Sequence, residues 1–147
     1  MYHHILIATD GSRLAEQAAR TGVDLARCMQ AQLVVLYVAP SYPMDNFISA
    51  RMPLPDEVGR IEQDGADAAD SALDRIRHMA LAAQLDMRDV VLQSDHPAEA
   101  IVACAHKFGC DLIVLGSHGY RGIKRLLLGN TAQQVLSLST VAVLVTR

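Results

Sequence analysis

The sequence predicts an α/β protein with a doubly wound, five-stranded parallel sheet, strand order 3-2-1-4-5, and helices on both faces. Two observations favour this class. Short apolar runs alternate along the chain with longer segments whose apolar residues recur at helical spacing. Each pair of runs encloses one helical segment, the pattern of right-handed β-α-β crossovers. A length of 147 residues with 51% apolar composition further predicts one domain over residues 1–147, with its own core.

The first half of the chain predicts two strands and two helices. Residues 3–9, HHILIAT, form a short apolar run that ends in the tripeptide DGS, and the next segment has helical spacing. Residues 31–40, AQLVVLYVAP, are typical of a strand buried on both faces. An irregular connection with three prolines follows at 41–55. One long amphipathic helix is then predicted from about Asp56 to Gln84.

The second half predicts three strands and two helices. The run MRDVVLQSD at 87–95 is the third strand, and a helix follows from Pro97 to about Phe108, because proline is tolerated at a first helical position. Residues 111–116, DLIVLG, form the fourth strand. A short helix is predicted from Thr131 to about Leu138, and residues 140–147 form the fifth strand.

Composition and charge exclude several function classes. A net charge of −3 argues against general nucleic-acid binding, which usually needs a basic surface. Three cysteines without CxxC spacing predict neither a disulfide framework nor a zinc site, so Cys28, Cys104 and Cys110 are expected in the core. Scattered histidines likewise predict no metal site made of protein ligands. No export signal and no apolar stretch long enough for a membrane helix is apparent, so we expect a cytoplasmic protein without a membrane span.

The strand order locates a crevice that could hold a ligand. In a doubly wound sheet, ligands bind beyond the carboxyl ends of the strands, where strand order reverses. This reversal brings ATDGS, after the first strand, opposite GSHG, after the fourth. The start of the last helix, at residues 129–131, faces the same crevice, and helix N-termini attract anions. We therefore predict a phosphate-binding loop within GSHGYRGIKRLLLGNTAQQV, residues 116–135.

Two features of this loop, its glycines and its cations, favour phosphate. Its glycines would let backbone N–H groups approach an anion, and Arg121, Lys124 and Arg125 add positive charge. A purely structural role, in which the glycines only end strands and begin helices, explains the glycines alone equally well.

Asp10 also has a structural alternative, because an acidic residue at the turn after the first strand could cap the first helix together with Ser12. The loop matches neither a Walker A motif nor a dinucleotide fingerprint.

These residues carry a resemblance to a known family. Gly116, Gly119 and Gly129 fit the pattern Gly, two residues, Gly, nine residues, Gly, then Ser or Thr, which is the ATP-binding signature of the universal stress proteins. The segments ILIATDGS, HPAEAI and DLIVLGSHG and the terminal strand are also similar to that family, so the resemblance spans the chain. It implies a fold like that of the adenine nucleotide alpha hydrolases and a bound ATP, or AMP or ADP, accompanied by Mg²⁺.

The resemblance also implies which residues meet the nucleotide. The turn after the first strand would contact the nucleoside, the backbone of Val38 would meet adenine, and the glycine loop would line the phosphates. The full set of nucleotide-binding residues implied is Ala8, Thr9, Asp10, Val38, Leu115, Gly116, Ser117, His118, Gly119, Arg121, Gly129, Asn130 and Thr131.

One position departs from the family pattern. Asn130 stands where the signature has Ser or Thr, so a hydroxyl expected at the phosphate or its metal is missing. Asparagine is a good N-cap, and Gln133 three residues later would complete something close to a capping box, so Asn130 could be structural. Its amide could instead donate to phosphate, and Thr131 offers a hydroxyl one residue on. Binding tolerates this change more easily than catalysis does.

The resulting hypothesis is an ATP-binding stress protein with a nucleotide-responsive regulatory or chaperone-like role.

No catalytic residue is predicted: His118 has no evident nucleophile partner, and no Walker lysine or positioned general base is present, so at most slow ATP hydrolysis is expected. The alternative is a family member that binds no nucleotide and acts only through protein contacts, with residues 41–55 as the candidate contact segment. Flavodoxin-like, receiver and adenylyl-transferring proteins fit less well, because their characteristic residues are missing at the corresponding turns. The protein partner is unknown.

The terminal strand predicts a homodimer. Val141, Val143 and Val145 should face one side of the sheet, and Ala142 and Leu144 the other, so both faces are apolar. An edge strand of this kind without proline, bulge or inward charge invites aggregation unless it is covered. Pairing with its copy in a second chain would satisfy it, as the family resemblance also implies, whereas a loop covering the edge is the alternative.

Overall fold

A computed structural model describes residues 1–41, 54–119 and 128–147. Most of the predicted connection at 41–55 and the three loop cations, Arg121, Lys124 and Arg125, lie outside these ranges. The strands are β1 (His4–Thr9), β2 (Gln32–Ala39), β3 (Met87–Gln93), β4 (Leu112–Gly116) and β5 (Ala142–Thr146). The helices are α1 (Arg13–Met29), α2 (Pro55–Ala82), α3 (Pro97–Lys107) and α4 (Asn130–Leu138).

The sheet has the predicted topology. Its order is β3-β2-β1-β4-β5, and every neighbouring pair is parallel. Ile7 in the middle of β1 lies opposite Val35 of β2 on one side and Val114 of β4 on the other. Because β1 continues to β2 on one side and is flanked by β4 on the other, strand order reverses between β1 and β4. The predicted switch point is therefore confirmed.

Two apolar layers enclose the sheet, one on each face. Alternate residues of a strand point to opposite faces, so Ile5 and Ile7 join the layer beneath α1 and α2, while Leu6 joins the layer beneath α3 and α4. All three side chains are fully buried. Each fully buried aliphatic side chain stabilises the fold by about 1.5–3 kcal/mol. The predicted arrangement of helices on both faces is confirmed.

The boundaries differ from the predicted ones where local hydrogen bonds end an element. α2 ends at Ala82 because Gln84 adopts the left-handed conformation with φ 58°, and Leu85 N–H returns to the Ala80 carbonyl at 2.9 Å. β5 begins at Ala142, two residues later than predicted. Ahead of it the Ser139 hydroxyl bonds both the N–H and the carbonyl of Val141, at 3.2 and 2.8 Å, which turns the chain.

The cysteines were predicted correctly at two of three positions. Cys104 and Cys110 are buried in the layer beneath α3 and α4. Burial raises the pKa of both thiols, that of Cys110 to about 11, so both stay protonated near neutral pH. The prediction for Cys28 was wrong, because this residue is exposed on the outer face of α1.

Helix α2 is buried over only part of its length. It contains 28 residues. The described side chains from residue 56 to residue 68 are exposed or half-buried, and the first buried one is Ala69. Ala72, Leu73, Ile76 and Ala80 then continue the buried stripe against the sheet and α1. Within the described parts of the chain, no helix is both long and apolar enough to cross a membrane.

Candidate functional site

The turn between β1 and α1 is held by its own polar side chains. Ser12 is the N-cap of α1, and its hydroxyl accepts a hydrogen bond from Ala15 N–H at 3.2 Å. Asp10 Oδ1 in turn accepts from Ser12 N–H at 2.9 Å, and Thr9 Oγ1 accepts from Gly11 N–H at 3.1 Å. Gly11 adopts φ 80°, which glycine tolerates without strain. Ser12 therefore caps the helix, and Asp10 holds the capping residue.

The loop after β4 is fixed at both described ends by backbone contacts. The Ser117 N–H donates to the Thr146 carbonyl at 2.7 Å, and the Ser117 carbonyl accepts from Gly129 N–H at 2.7 Å. A Cβ at Gly129 would lie 2.8 Å from that carbonyl oxygen, and one at Gly116 would lie 3.1 Å from the Leu14 backbone carbon. Close backbone approach therefore requires small residues at both positions.

Asp10 and Gly119 join the two sides of the crevice. A Cβ at Gly119 would overlap the Asp10 side chain at Oδ2, so the carboxylate lies directly against the glycine backbone. The other carboxylate oxygen, Oδ1, accepts from Ser12 N–H within its own turn. The structure thus brings ATDGS and GSHG together at the switch point, as the strand order predicts.

The start of α4 differs from the prediction. Gly129, not Asn130, is the N-cap, and α4 begins at Asn130, one residue earlier than predicted. Gly129 has extended dihedrals, φ −62° and ψ 153°, and its carbonyl accepts from Gln133 N–H at 3.0 Å. Gln133 Nε2 donates to the Leu128 carbonyl at 3.0 Å, so it forms no capping box with Asn130. Since no side chain caps this helix, its first N–H groups suit an anion.

Ser117 and His118 form a local pair at the end of β4. Ser117 is buried, and its hydroxyl lies 3.1 Å from His118 Nδ1. The imidazole and the hydroxyl therefore fix each other's orientation beside Gly116. His118 itself is half-buried.

The other predicted site residues occupy the same end of the sheet with differing exposure. Ala8 and Thr9 are buried at the end of β1, and Val38 is half-buried near the end of the adjoining strand, β2. Leu115 is buried in the core, so its side chain is not available to a ligand. Thr131 lies half-buried in the first turn of α4. Arg121 lies outside the described residues.

A second concavity lies between α3 and α4, and sequence reasoning missed it. This open groove has a volume of about 420 Å³. It is lined by His96, Glu99, Asn130, Gln133, Gln134, Ser137 and Leu138. Its residues come from two helices far apart in sequence, so no local pattern indicates it. Among the described residues no group of His, Cys, Asp and Glu is arranged to hold a metal ion.

Comparison with known proteins gives a family match and several related structures. The model of the universal stress protein family matches residues 1–147. A universal stress protein of Methanocaldococcus jannaschii is 30% identical over 147 residues, covering 100% of this chain and 83% of that protein. The structure of universal stress protein UspA from Lactobacillus plantarum aligns with a TM-score of 0.80 and 27% identity, covering 99% of this chain and 98% of that one.

Two further structures share the fold and contain a nucleotide. One is a universal stress protein in complex with cAMP, with a TM-score of 0.71 and 23% identity, covering 99% of this chain and 97% of that one. The other is the Archaeoglobus fulgidus universal stress protein in complex with dAMP, with a TM-score of 0.64 and 19% identity, covering 99% and 98%. With the family model matched from end to end, this chain belongs to the universal stress protein family.

Proposed function

We propose that this protein binds an adenine nucleotide in the crevice between the Asp10 turn and the loop that ends at Thr131, and that the bound nucleotide regulates a partner protein. The observation that carries the proposal is the convergence of three features: the Asp10 carboxylate, the backbone of Gly119 and the uncapped start of α4. Two structures of the same fold, one with cAMP and one with dAMP, support an adenine nucleotide as the ligand.

The phosphates are assigned to the glycine side of the crevice. Glycine at residues 116 and 129 lets neighbouring backbones approach closely, and Gly119 leaves no side chain between the loop backbone and the Asp10 carboxylate. The helix dipole of α4 adds a partial positive charge at the same place. Asn130, at the first position of α4, would donate an amide hydrogen bond to a phosphate oxygen. Mg²⁺ would enter with ATP, held mainly by phosphate oxygens and water.

The nucleoside is assigned to the other side. A carboxylate accepts hydrogen bonds from two neighbouring hydroxyl groups readily, so Asp10 suits a ribose. Val38 lies on β2, next to β1 at the same end of the sheet, where its backbone would meet the adenine edge. Ala8 and Thr9 complete this wall. We assign binding with at most slow ATP hydrolysis to one domain spanning residues 1–147, acting in the cytoplasm.

Bound nucleotide is the decisive measurement. The purified protein is denatured, and any released nucleotide is identified by chromatography. The protein is then refolded without nucleotide and titrated with ATP and Mg²⁺, and separately with AMP, by calorimetry. Release of an adenine nucleotide, or saturable binding of either ligand, supports the proposal. A protein that carries none and binds neither at about 1 mM, a free energy of binding of about −4 kcal/mol, belongs to the alternative class that acts through protein contacts alone.

We also propose that β5 pairs with its copy in a second chain. The two sheet edges differ: β3 exposes Arg88 and Asp89, and Asp89 pairs with Arg77 at 3.0 Å, whereas β5 contains no charged residue. Charge protects an edge strand from pairing, so β5 is the edge suited to a second copy. Val143 and Val145 pack toward α3 and α4, and Leu144 packs toward α1, which is the predicted alternation.

The dimer is tested by light scattering at micromolar concentration. The wild type should have twice the mass of the chain, and Val143→Pro, which removes a mid-strand N–H donor, should be monomeric. Circular dichroism shows whether the variant has kept its helices. If Val143→Pro fails to fold, Val143→Lys, which keeps the N–H but adds charge to the strand, should also be monomeric. A monomeric wild type contradicts the proposal.

A further inference from the structure

Arg75 of α2 reaches across to the turn that contains Asp10. Its Nη2 donates to the Gly11 carbonyl at 3.1 Å, and its Nε lies 3.5 Å from Glu16 Oε2 on α1. Glu16 also pairs with Arg20 at 3.0 Å, one helical turn further along α1. The Arg75 guanidinium is therefore fixed between α2, α1 and the turn. Its hydrogen bond and its ion pair go to Gly11 and Glu16, neither of which the family resemblance assigns to the nucleotide.

The Gly11 carbonyl and the Ser12 N–H belong to one peptide group. In a trans peptide the two point in opposite directions within the peptide plane, so a hydrogen bond that fixes the carbonyl also fixes the direction of the N–H. Arg75 bonds the carbonyl, and on the opposite side the Ser12 N–H donates to Asp10 Oδ1 at 2.9 Å. Arg75, this peptide and the Asp10 carboxylate thus form one continuous row.

The row ends at the other wall of the crevice. While Oδ1 of Asp10 accepts from Ser12 N–H, Oδ2 lies against Gly119. A rotation of the Gly11-Ser12 peptide would move the Ser12 N–H and with it the carboxylate. Displacement of the carboxylate would change its fit against the Gly119 backbone. The row therefore connects α2 with the loop after β4.

We propose that Arg75 is a positioning residue for the nucleotide site, acting through the Gly11-Ser12 peptide on Asp10. A charged donor at the carbonyl polarises the peptide and strengthens the hydrogen bond from its N–H, because hydrogen bonds in a chain reinforce one another. The effect of Arg75 on nucleotide affinity rests on the function proposed above, whereas the row itself exists without nucleotide. Exposed ion pairs contribute little to stability, so removing the Arg75 side chain should alter the site more than the fold.

The first test measures ATP affinity by calorimetry. Arg75→Met keeps the length of the side chain but removes the charge and the donors, and we expect about five-fold weaker binding. The matched control is Arg77→Met, on the same helix and similarly exposed, at 41% against 44% for Arg75. Arg77 pairs with Asp74 and Asp89, on α2 and β3, so its loss should change the affinity less than about two-fold. Equal losses in both variants would contradict the proposal.

The second test asks whether Arg75 acts through Asp10. In an Asp10→Ala background the row has lost the carboxylate at its end, so Arg75→Met should weaken ATP binding no further. An undiminished five-fold effect in that background would overturn the proposal, since it would mean that Arg75 acts on the ligand directly or through the general fold. Arg75→Lys, which restores the charge and one donor, should recover part of the affinity.

The third test needs no nucleotide and so separates this inference from the proposed function. Amide spectra by NMR report the hydrogen bond of the Ser12 N–H directly. Arg75→Met should move the Ser12 resonance toward that of a weaker hydrogen bond, while Arg77→Met should leave it in place. An unchanged Ser12 resonance in Arg75→Met refutes the row even if ATP binds. A shifted resonance in a protein that binds no ATP supports the row and rejects the nucleotide. If Arg75→Met fails to fold, Glu16→Gln should give a smaller shift of the same sign.

Discussion

Asp10 and Asp111 lie at opposite ends of the strands of the same sheet and connect different kinds of structure. Asp10 lies where the strands end, here called the carboxyl edge, and Asp111 lies where they begin, here called the amino edge. Asp111 precedes β4, and its carboxylate accepts backbone hydrogen bonds from His3 N–H, at 2.8 and 3.1 Å, and from His4 N–H, at 3.0 Å. Asp10 follows β1, with one oxygen on Ser12 N–H and the other against Gly119. Asp111 therefore joins the start of β4 to the start of β1 by hydrogen bonds, whereas Asp10 lies between the turn after β1 and the loop after β4.

The difference shows what distinguishes a structural carboxylate from a candidate site carboxylate in this fold. At the amino edge, the Asp111 N–H also donates to the His4 carbonyl at 2.9 Å, so the carboxylate extends the pairing of β1 with β4. At the carboxyl edge, the same two strands diverge into a turn and a loop, and the wall opposite Asp10 is glycine. Parallel strands thus place one aspartate in the ladder and the other in a crevice.

The largest expected effect is at the glycine wall. Gly129→Val places a branched side chain within 2.8 Å of the Ser117 carbonyl, and Gly119→Val displaces the Asp10 carboxylate, so ATP affinity should fall about a hundred-fold or more in each. Calorimetry measures the loss. Gly59→Val is the matched control, because a Cβ there meets no atom within 4 Å, and its affinity should be unchanged. If both site variants fold and bind ATP normally, the phosphates lie elsewhere.

A smaller effect, on stability alone, is expected at the amino edge. Asp111→Ala leaves the His3 and His4 N–H groups without this acceptor and should lower the free energy of unfolding by about 1–2 kcal/mol, since the carboxylate is partly exposed. Urea denaturation provides the measurement. ATP affinity should stay within about two-fold of the wild type. Asp10→Ala should show the reverse pattern, and identical behaviour of the two variants would remove the contrast between the edges.

The hydrogen bonds to Asp111 should also make the stability of the fold sensitive to acid. Burial alone would raise the pKa of Asp111, but hydrogen bonds from the His3 and His4 backbone outweigh it and lower this pKa from the ordinary 3.8. A lowered pKa stabilises the fold above pH 3.8, and this contribution is lost as pH falls through the folded-state value. The difference in unfolding free energy between wild type and Asp111→Asn should therefore be constant near neutral pH and shrink in acid. A difference that grows below pH 3.8 would reverse the assignment.

The smallest effect is expected from Asn130→Ser. Gly129 is the N-cap, so the fold should not change, and the restored hydroxyl should leave ATP affinity equal or tighter by up to about three-fold. Calorimetry and a phosphate-release assay are run on both forms. Turnover faster than about 1 per second in either would show an enzyme rather than a binding protein.

Sequence reasoning predicted the features that arise from local patterns. Apolar periodicity located all nine elements of the described residues, and their alternation predicted the strand order, because parallel crossovers leave few topologies. The glycine spacing indicated the family, now confirmed by the match of the family model. The placement of Asp10 opposite Gly119 also followed, since both come at the carboxyl ends of adjacent strands.

The features that were missed depend on contacts between distant parts of the chain, or on which of two neighbouring residues becomes the N-cap of a helix. Asp111 meets His3 across 108 positions, and Arg75 meets Gly11 across 64. Neither pair leaves a periodic signal, because an exposed charged residue on a helix or before a strand is common everywhere. Asn130 was expected to cap α4, but the close approach of the Gly129 and Ser117 backbones places glycine at that position instead.

The partial burial of α2 has a consequence for local unfolding. Its first four turns have no fully buried described side chain and include Gly59 and Gly65, each of which disfavours a helix by about 1 kcal/mol relative to alanine. Opening these turns breaks helical hydrogen bonds while the core stays intact, so their amides should exchange with deuterium long before those after Ala69. Arg75 lies beyond that boundary, next to the buried Ile76. The helix can thus fray from its amino end without releasing the Gly11 carbonyl.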